Sequence, residues 1–290
     1  MIKDYLRLMR PANMVTSVAD VLAGIAVTHS FSSNFEWLRI AALCASTACL
    51  YGGGVVYNDV FDADLDMIER PERPIPSGAV TVAEAKRLGF VLLLVGIMLA
   101  GFMGTLPGLI AVAIALFALL YDKWGKHNSF IGPLNMGICR GLNLLLGISI
   151  IPTFLNEWYF LAAAPVVYIF AITLISRGEV HGGGKRNLYI ATILYTAVIA
   201  FILHFALVND RLYVVLVFLA AFVYMAFKPL LAAIEKPTGA NIGKSVKAGV
   251  LALILLDAAW TATFDSIFVA VIVALLLVAS FGLAEVFAVT

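Results

Sequence analysis

Charged side chains are scarce in this chain of 290 residues: Lys, Arg, Asp and Glu make up 13% of it, against about 25% in soluble globular domains. With 62% hydrophobic residues and a mean hydropathy of +1.01, that scarcity excludes an ordinary water-soluble domain. Cysteine is nearly absent as well. Cys44, Cys49 and Cys139 all fall in apolar runs, without the spacing of a disulfide framework or a metal site, and read as packing residues. Nothing resembling a linker, a low-complexity tract or a soluble segment interrupts the chain, so residues 1–290 read as one membrane domain. The net charge of +1 conceals a sidedness described below, and no nucleic-acid partner is expected.

What is present is a series of apolar runs near the length of roughly 20 residues that a bilayer crossing requires. They fall at about 12–30, 37–57, 86–105, 107–121, 129–151, 158–175, 188–208, 211–229, 243–263 and 266–287. The expected fold class is therefore all-α, a multi-pass transmembrane bundle of nine to ten spans, with 266–287 as an additional C-terminal one. Basic residues are retained on the cytoplasmic side. Lys3, Arg7 and Arg10 precede span 1, and Arg70, Arg73, Lys86 and Arg87 follow span 2; Lys123 and Lys126 follow span 4. Arg177, Lys185 and Arg186 follow span 6, and Lys228, Lys236, Lys244 and Lys247 follow span 8, whereas Arg39 and Arg211 are on the other face. The pattern predicts an integral membrane protein with both termini and the even-numbered loops, hence the active site, facing the cytoplasm.

One segment breaks the apolar pattern: "NDVFDADLDMIERPERPIPSG", residues 58–78. If the second span continues as a helix, Asp59, Asp62 and Asp66 lie at i, i+3 and i+7 and share a face. Three such carboxylates repel one another unless a cation binds, and oxygen-only ligands favour a hard ion, Mg²⁺ or Ca²⁺. A calcium loop of the EF-hand type starting at Asp62 fails, because Met67 stands where Gly is needed and Arg73 where Glu is needed. A solvated loop with incidental acids is the bland alternative. Arg70 and Arg73 offer guanidinium forks to phosphate oxygens, three prolines stiffen the loop, and "TVAE" at 81–84 reads as a capping box. Acids, bases and a rigid loop together suggest a diphosphate clamp.

The pattern Asn58, Asp59, Asp62, Asp66 followed by "RPERPIPSG" resembles the first signature of the UbiA superfamily of intramembrane prenyltransferases. "MRPANMVTSVADVLAG" near the start and "YDKWGKH" at 121–127 are similar to the family's first helix and to its loop after helix 4. "SRGEVHGG" with "GICRGLNLLLG" resembles the divergent EboC-type branch. The resemblance implies Mg²⁺-dependent transfer of an isoprenyl group from an isoprenyl diphosphate to a hydrophobic, small or aromatic acceptor. It places Asn58, Asp59, Asp62 and Asp66 at the first Mg²⁺ and the diphosphate, with Arg73 and Lys126 as diphosphate partners and Lys123 as the competing alignment for Lys126. Tyr51, Tyr57, Tyr121 and Trp124 read either as interfacial anchors or as a lining for the reacting carbocation.

The family's second aspartate-rich signature should follow span 6, where this chain has "SRGEVHGGGKRN", 176–187, with Glu179 its only carboxylate. By the resemblance Glu179 takes the second metal, with Arg177, His181, Lys185 and Arg186 toward the substrate; Lys185 and Arg186 read equally well as positive-inside residues. The departure leaves two alternatives to prenyl transfer: a lipid or precursor binder or transporter, and transfer of a phospho-sugar to a polyprenyl phosphate. Inside the spans, Arg140 is expected to face the bundle and meet Asp20 or Asp257, because an unpaired charge is costly in lipid.

Overall fold

The computed structural model describes residues 2–32, 36–179 and 182–287. Thirteen α-helices run in chain order: α1 (Ile2–Met9), α2 (Pro11–Val27), α3 (Trp37–Phe61), α4 (Ala63–Glu69), α5 (Val82–Met103), α6 (Thr105–Lys123), α7 (Ile131–Ile148), α8 (Pro152–Trp158), α9 (Ala163–Ser176), α10 (Lys185–Val208), α11 (Leu212–Glu235), α12 (Gly239–Phe264) and α13 (Ile267–Val286). No strand occurs among the described residues. Among the described residues nine apolar helical segments are long enough to cross a membrane, the one at Pro152–Ser176 being α8 and α9 joined by a 3-10 turn. The first run predicted from the sequence, 12–30, is α2, shorter at 17 residues and continued by turns through Ser32, and the additional C-terminal run at 266–287 is α13.

Backbone hydrogen bonds must close within each segment in lipid, which is why an apolar chain of this kind resolves into helices. Large side chains such as Phe102, Tyr213 and Phe268 project outward, as a lipid-facing rim requires. Inside, α2 packs against α3, α7, α12 and α13, and α3 lies along α5. The α2–α7 approach depends on glycine. A methyl group on Gly24 would meet the Leu144 carbonyl oxygen at 2.2 Å, and one on Gly147 would meet that of Val21 at 2.2 Å. Small residues of this kind let two membrane helices touch backbone to backbone. The C-terminal α13 packs on α12 and α2, and Ser280 Oγ donates to the Ala12 carbonyl at 2.7 Å.

The ends of α3, α6 and α9 and the start of α2 meet at one end of the bundle. The loop between α4 and α5 folds over that end. Its Ile75 and Val80 are buried against Leu8, Val56, Val60 and Ala85. Gly78 takes a left-handed φ of 75° that suits glycine, and its N–H bonds the Ile75 carbonyl at 3.0 Å. Thr81 and Glu84 form the expected capping box that starts α5.

Candidate active site

Helix α3 stops at Phe61 and α4 starts at Ala63, so Asp62 sits at a junction and the acidic motif does not occupy one uninterrupted helix. Helical hydrogen bonding bridges the junction, from Asp62 N to Asn58 O at 2.9 Å and from Asp66 N to Asp62 O at 2.8 Å. The three carboxylates therefore still turn toward the same end of the bundle, and each meets a cation. Arg73 Nη1 donates to Asp66 Oδ2 at 2.6 Å and lies 3.3 Å from Asp59 Oδ1. Lys126 pairs with Asp62. Lys123 instead lies over the Trp124 ring, 4.4 Å from its centroid, so Lys126 is the lysine that reaches the motif.

Two participants were missed by the sequence reading. Arg10 Nη2 donates to Asp59 Oδ1 at 2.7 Å. Arg10 separates α1 from α2 in a left-handed conformation, φ 50°, just before Pro11. That backbone costs an L-residue about 1–2 kcal/mol, and strain of this order concentrates at functional positions. The available signal was the Arg-Pro step, which breaks the helix and frees the side chain from its face. The second is Asp122, buried at the end of α6, whose Oδ1 accepts a hydrogen bond from Asn58 Nδ2 at 2.9 Å. Its place beside Tyr121 in "YDKWGKH" was the available signal.

Glu179 lies in the turn after α9, with its carboxyl against Gly243 of α12. Burial pushes this carboxyl above the usual glutamate range, and the charges of Arg70 and Arg10 pull it partly back. Arg10 thus links the two loops, bonded to Asp59 and felt by Glu179. The remaining candidates spread away from this centre. Arg177 Nη1 donates to the Asn128 carbonyl at 3.0 Å, tying two loops together. Lys185 and Arg186 open α10 and are exposed. Gly183 N bonds the Pro237 carbonyl at 3.3 Å, which holds the glycine run against the α11–α12 connection. His181 lies outside the described residues.

A cavity of about 230 Å³ descends from this mouth between α2, α3, α6 and α7. Arg10, Asn58, Tyr121 and Asp122 border its upper part, and Leu50, Val55, Ile114 and Met136 form apolar walls. Its floor carries Thr47, Tyr51, Arg140 and Asn143. Of the four aromatic residues left open above, Tyr51 and Tyr121 line the cavity, whereas Trp124 is exposed and the Tyr57 hydroxyl approaches the Lys86 carbonyl. Arg140 pairs with Asp20, one of its two expected partners.

Among the described residues no three His, Cys, Asp or Glu side chains converge closely enough to hold a metal, and the acidic motif is paired with cations. The donor type nevertheless fits a hard ion: the motif offers oxygen alone. One nitrogen of Arg73 stands between Asp59 and Asp66, the position that a shared cation would take.

A family model of the UbiA prenyltransferase family matches residues 18–242. Similar curated proteins include the digeranylgeranylglyceryl phosphate synthase of Saccharolobus solfataricus, 30% identical over 174 residues and 60% of each chain. That of Sulfolobus acidocaldarius is 34% identical over 200 residues, 64% of this chain and 66% of the relative. The matched stretch thus spans about 60% of these relatives' length. Among solved structures, the apo form of a UbiA homologue from Aeropyrum pernix K1 superposes with a TM-score of 0.70 at 16% identity, covering 85% of this chain and 96% of that one. A UbiA homologue from Archaeoglobus fulgidus bound to GPP and Mg²⁺ gives 0.54 at 12% identity, covering 97% and 99%. The structural likenesses establish the fold, and the family model covers most of the sequence: the chain is a multi-pass membrane protein of the UbiA prenyltransferase family.

Proposed function

We propose that this protein transfers an isoprenyl group from an isoprenyl diphosphate to an acceptor hydroxyl, at a site facing the cytoplasm. The observation that carries the reading is the charge balance of the mouth. Asp59, Asp62, Asp66, Asp122 and Glu179 gather there with Arg10, Arg70, Arg73 and Lys126, five carboxylates to four cations. A diphosphate brings further negative charge, so its binding requires cations beyond those of the protein. Mg²⁺ suits this task, because it binds through one or two carboxylates and shares substrate phosphates. Asp59, Asp62 and Asp66 would hold one ion and Glu179 a second; when bound, such ions neutralise charge on the departing diphosphate. The A. fulgidus homologue bound to GPP and Mg²⁺ supports this use of the fold.

In the transfer, the bond between the isoprenyl C1 and the diphosphate oxygen breaks, and the electron pair leaves with the diphosphate. Arg10, Arg73 and Lys126 turn from the aspartates to the phosphate oxygens and stabilise that charge. The apolar cavity walls keep water from the allylic cation. The acceptor oxygen bonds to C1, and its proton passes to Asp122 on the cavity wall. Of the hydrophobic, small or aromatic acceptors expected from the sequence, the relatives named as digeranylgeranylglyceryl phosphate synthases favour one with an aliphatic hydroxyl over an aromatic ring. The test is incubation of the purified protein with labelled isoprenyl diphosphate and an acceptor panel, followed by mass spectrometry of the products. A prenylated product formed by the parent and lost in Asp62→Asn supports the reading; no product from any pair rejects it.

A further inference from the structure

The floor of the cavity is polar in a way that the diphosphate mouth does not require. From Asn58 to Thr47, α3 descends eleven residues, about 16 Å at 1.5 Å per residue, and there the apolar walls give way to a buried hydrogen-bond network. Arg140 of α7 pairs with Asp20 of α2 and donates to Thr16. It also lies over the Tyr51 ring, 5.3 Å from the centroid. Asn143 Nδ2 donates to Asp20 Oδ2 at 2.9 Å and to the Ser17 carbonyl at 2.8 Å, while its Oδ1 accepts from Thr47. Asp257 of α12 is buried beside the same network.

Three consequences follow from this arrangement. A hydrocarbon tail ending on Arg140 would bury a charged fork without a partner for its remaining N–H groups, which is costly; the isoprenoid tail therefore does not end on this floor. The volume, about 230 Å³, is below the roughly 300–1,000 Å³ of pockets for drug-sized ligands, which suits one small molecule. The charge of Arg140 is already matched by Asp20, so the floor presents no surplus positive charge to an anion.

Building on the prenyl-transfer reading, we infer that this cavity is the acceptor's pocket and that its floor selects a small uncharged molecule rich in hydroxyl or carbonyl oxygen. Arg140 donates to an oxygen at the buried end of the acceptor, and a second hydroxyl then points up toward the mouth. Asp20 positions Arg140 and cancels its charge. Phosphate or carboxylate at the buried end is rejected, because its desolvation goes uncompensated.

Calorimetric titration of the full-length protein in detergent, with pyrophosphate and Mg²⁺ present to occupy the mouth, tests this with four probes: glycerol and myo-inositol as uncharged polyols, glycerol 1-phosphate and 4-hydroxybenzoate as anions. The expected result is binding of at least one polyol and of neither anion by the parent, weakened tenfold or more in Arg140→Gln. Asp20→Asn, which unmasks the guanidinium, should gain anion binding. If Arg140→Gln does not fold, Tyr51→Leu removes the ring beneath the guanidinium while keeping both Arg140 and Asp20, and should weaken polyol binding likewise. Failure of every polyol to bind, anion binding by the parent as tight as polyol binding, or unchanged polyol binding in the floor variants would overturn the inference. Geranyl diphosphate with Mg²⁺ is titrated into parallel samples without pyrophosphate: loss of that binding would count against prenyl transfer itself, and its retention would confine the failure to the acceptor pocket.

Discussion

Arg10 shows how one side chain joins parts of the chain that the sequence keeps apart. It precedes the first span, yet its guanidinium is 2.7 Å from Asp59 at the end of the second. Hydrogen bonds to charged groups contribute about 1.5–3 kcal/mol, so Arg10→Gln should weaken isoprenyl diphosphate binding about 10- to 100-fold in a calorimetric titration. Unchanged affinity would remove Arg10 from the site. Glu179 makes a different statement. Burial disfavours its ionised form, so it gives up its proton above the ordinary value of about 4.3. A cation needs the ionised form, which is lost as pH falls through that raised value. The acid limb of the pH–rate profile should therefore vanish or shift in Glu179→Gln, with turnover reduced. Linkage runs the opposite way for folding: a raised carboxyl pKa contributes stability that is present at low pH and lost as pH rises through it. Glu179→Gln should then melt no lower than the parent at neutral pH, and a lower melting temperature would assign Glu179 a structural bond instead.

At the scale of elements, the acidic motif was legible because its spacing survives the α3–α4 junction, where helical hydrogen bonds continue past the break. The capping box of α5 was legible for a similar reason: it is local, set by Thr81 and Glu84 alone. Arg10 and Asp122 were not, since their partners lie 49 and 64 residues away and only packing brings them together. The partner of Arg140 was narrowed to two acids by the cost of an unpaired charge, and the α2–α7 contact selects Asp20. That contact relies on Gly24 and Gly147. Gly147→Ala should force the two backbones apart, lowering stability by about 1–3 kcal/mol in thermal or denaturant unfolding, and should weaken the Arg140–Asp20 pair with it. Gly101→Ala in α5 meets nothing within 4 Å and should be neutral or stabilising, since Ala suits a helix better than Gly. Equal loss in the two variants would contradict the close-packing account.

The whole molecule is a bundle whose chemistry gathers at one end. The membrane-spanning segments and all-α class were readable from apolar run lengths, because a lipid environment leaves the backbone few alternatives, whereas the short helices α1, α4 and α8 were not. Orientation rests on the distribution of lysine and arginine, and single-cysteine labelling tests it. With Cys44, Cys49 and Cys139 replaced, Ser77→Cys should react only with a membrane-permeant reagent in intact cells, and Asn209→Cys also with an impermeant one. The reverse pattern would turn the site to the other face. The central claim, that the mouth binds an isoprenyl diphosphate through added cations, is tested most directly by pyrophosphate release from a panel of isoprenyl diphosphates with and without Mg²⁺. Release that depends on Mg²⁺ and is lost in Asp62→Asn is the expected result; equal release without divalent ions, or full release by Asp62→Asn, would contradict it.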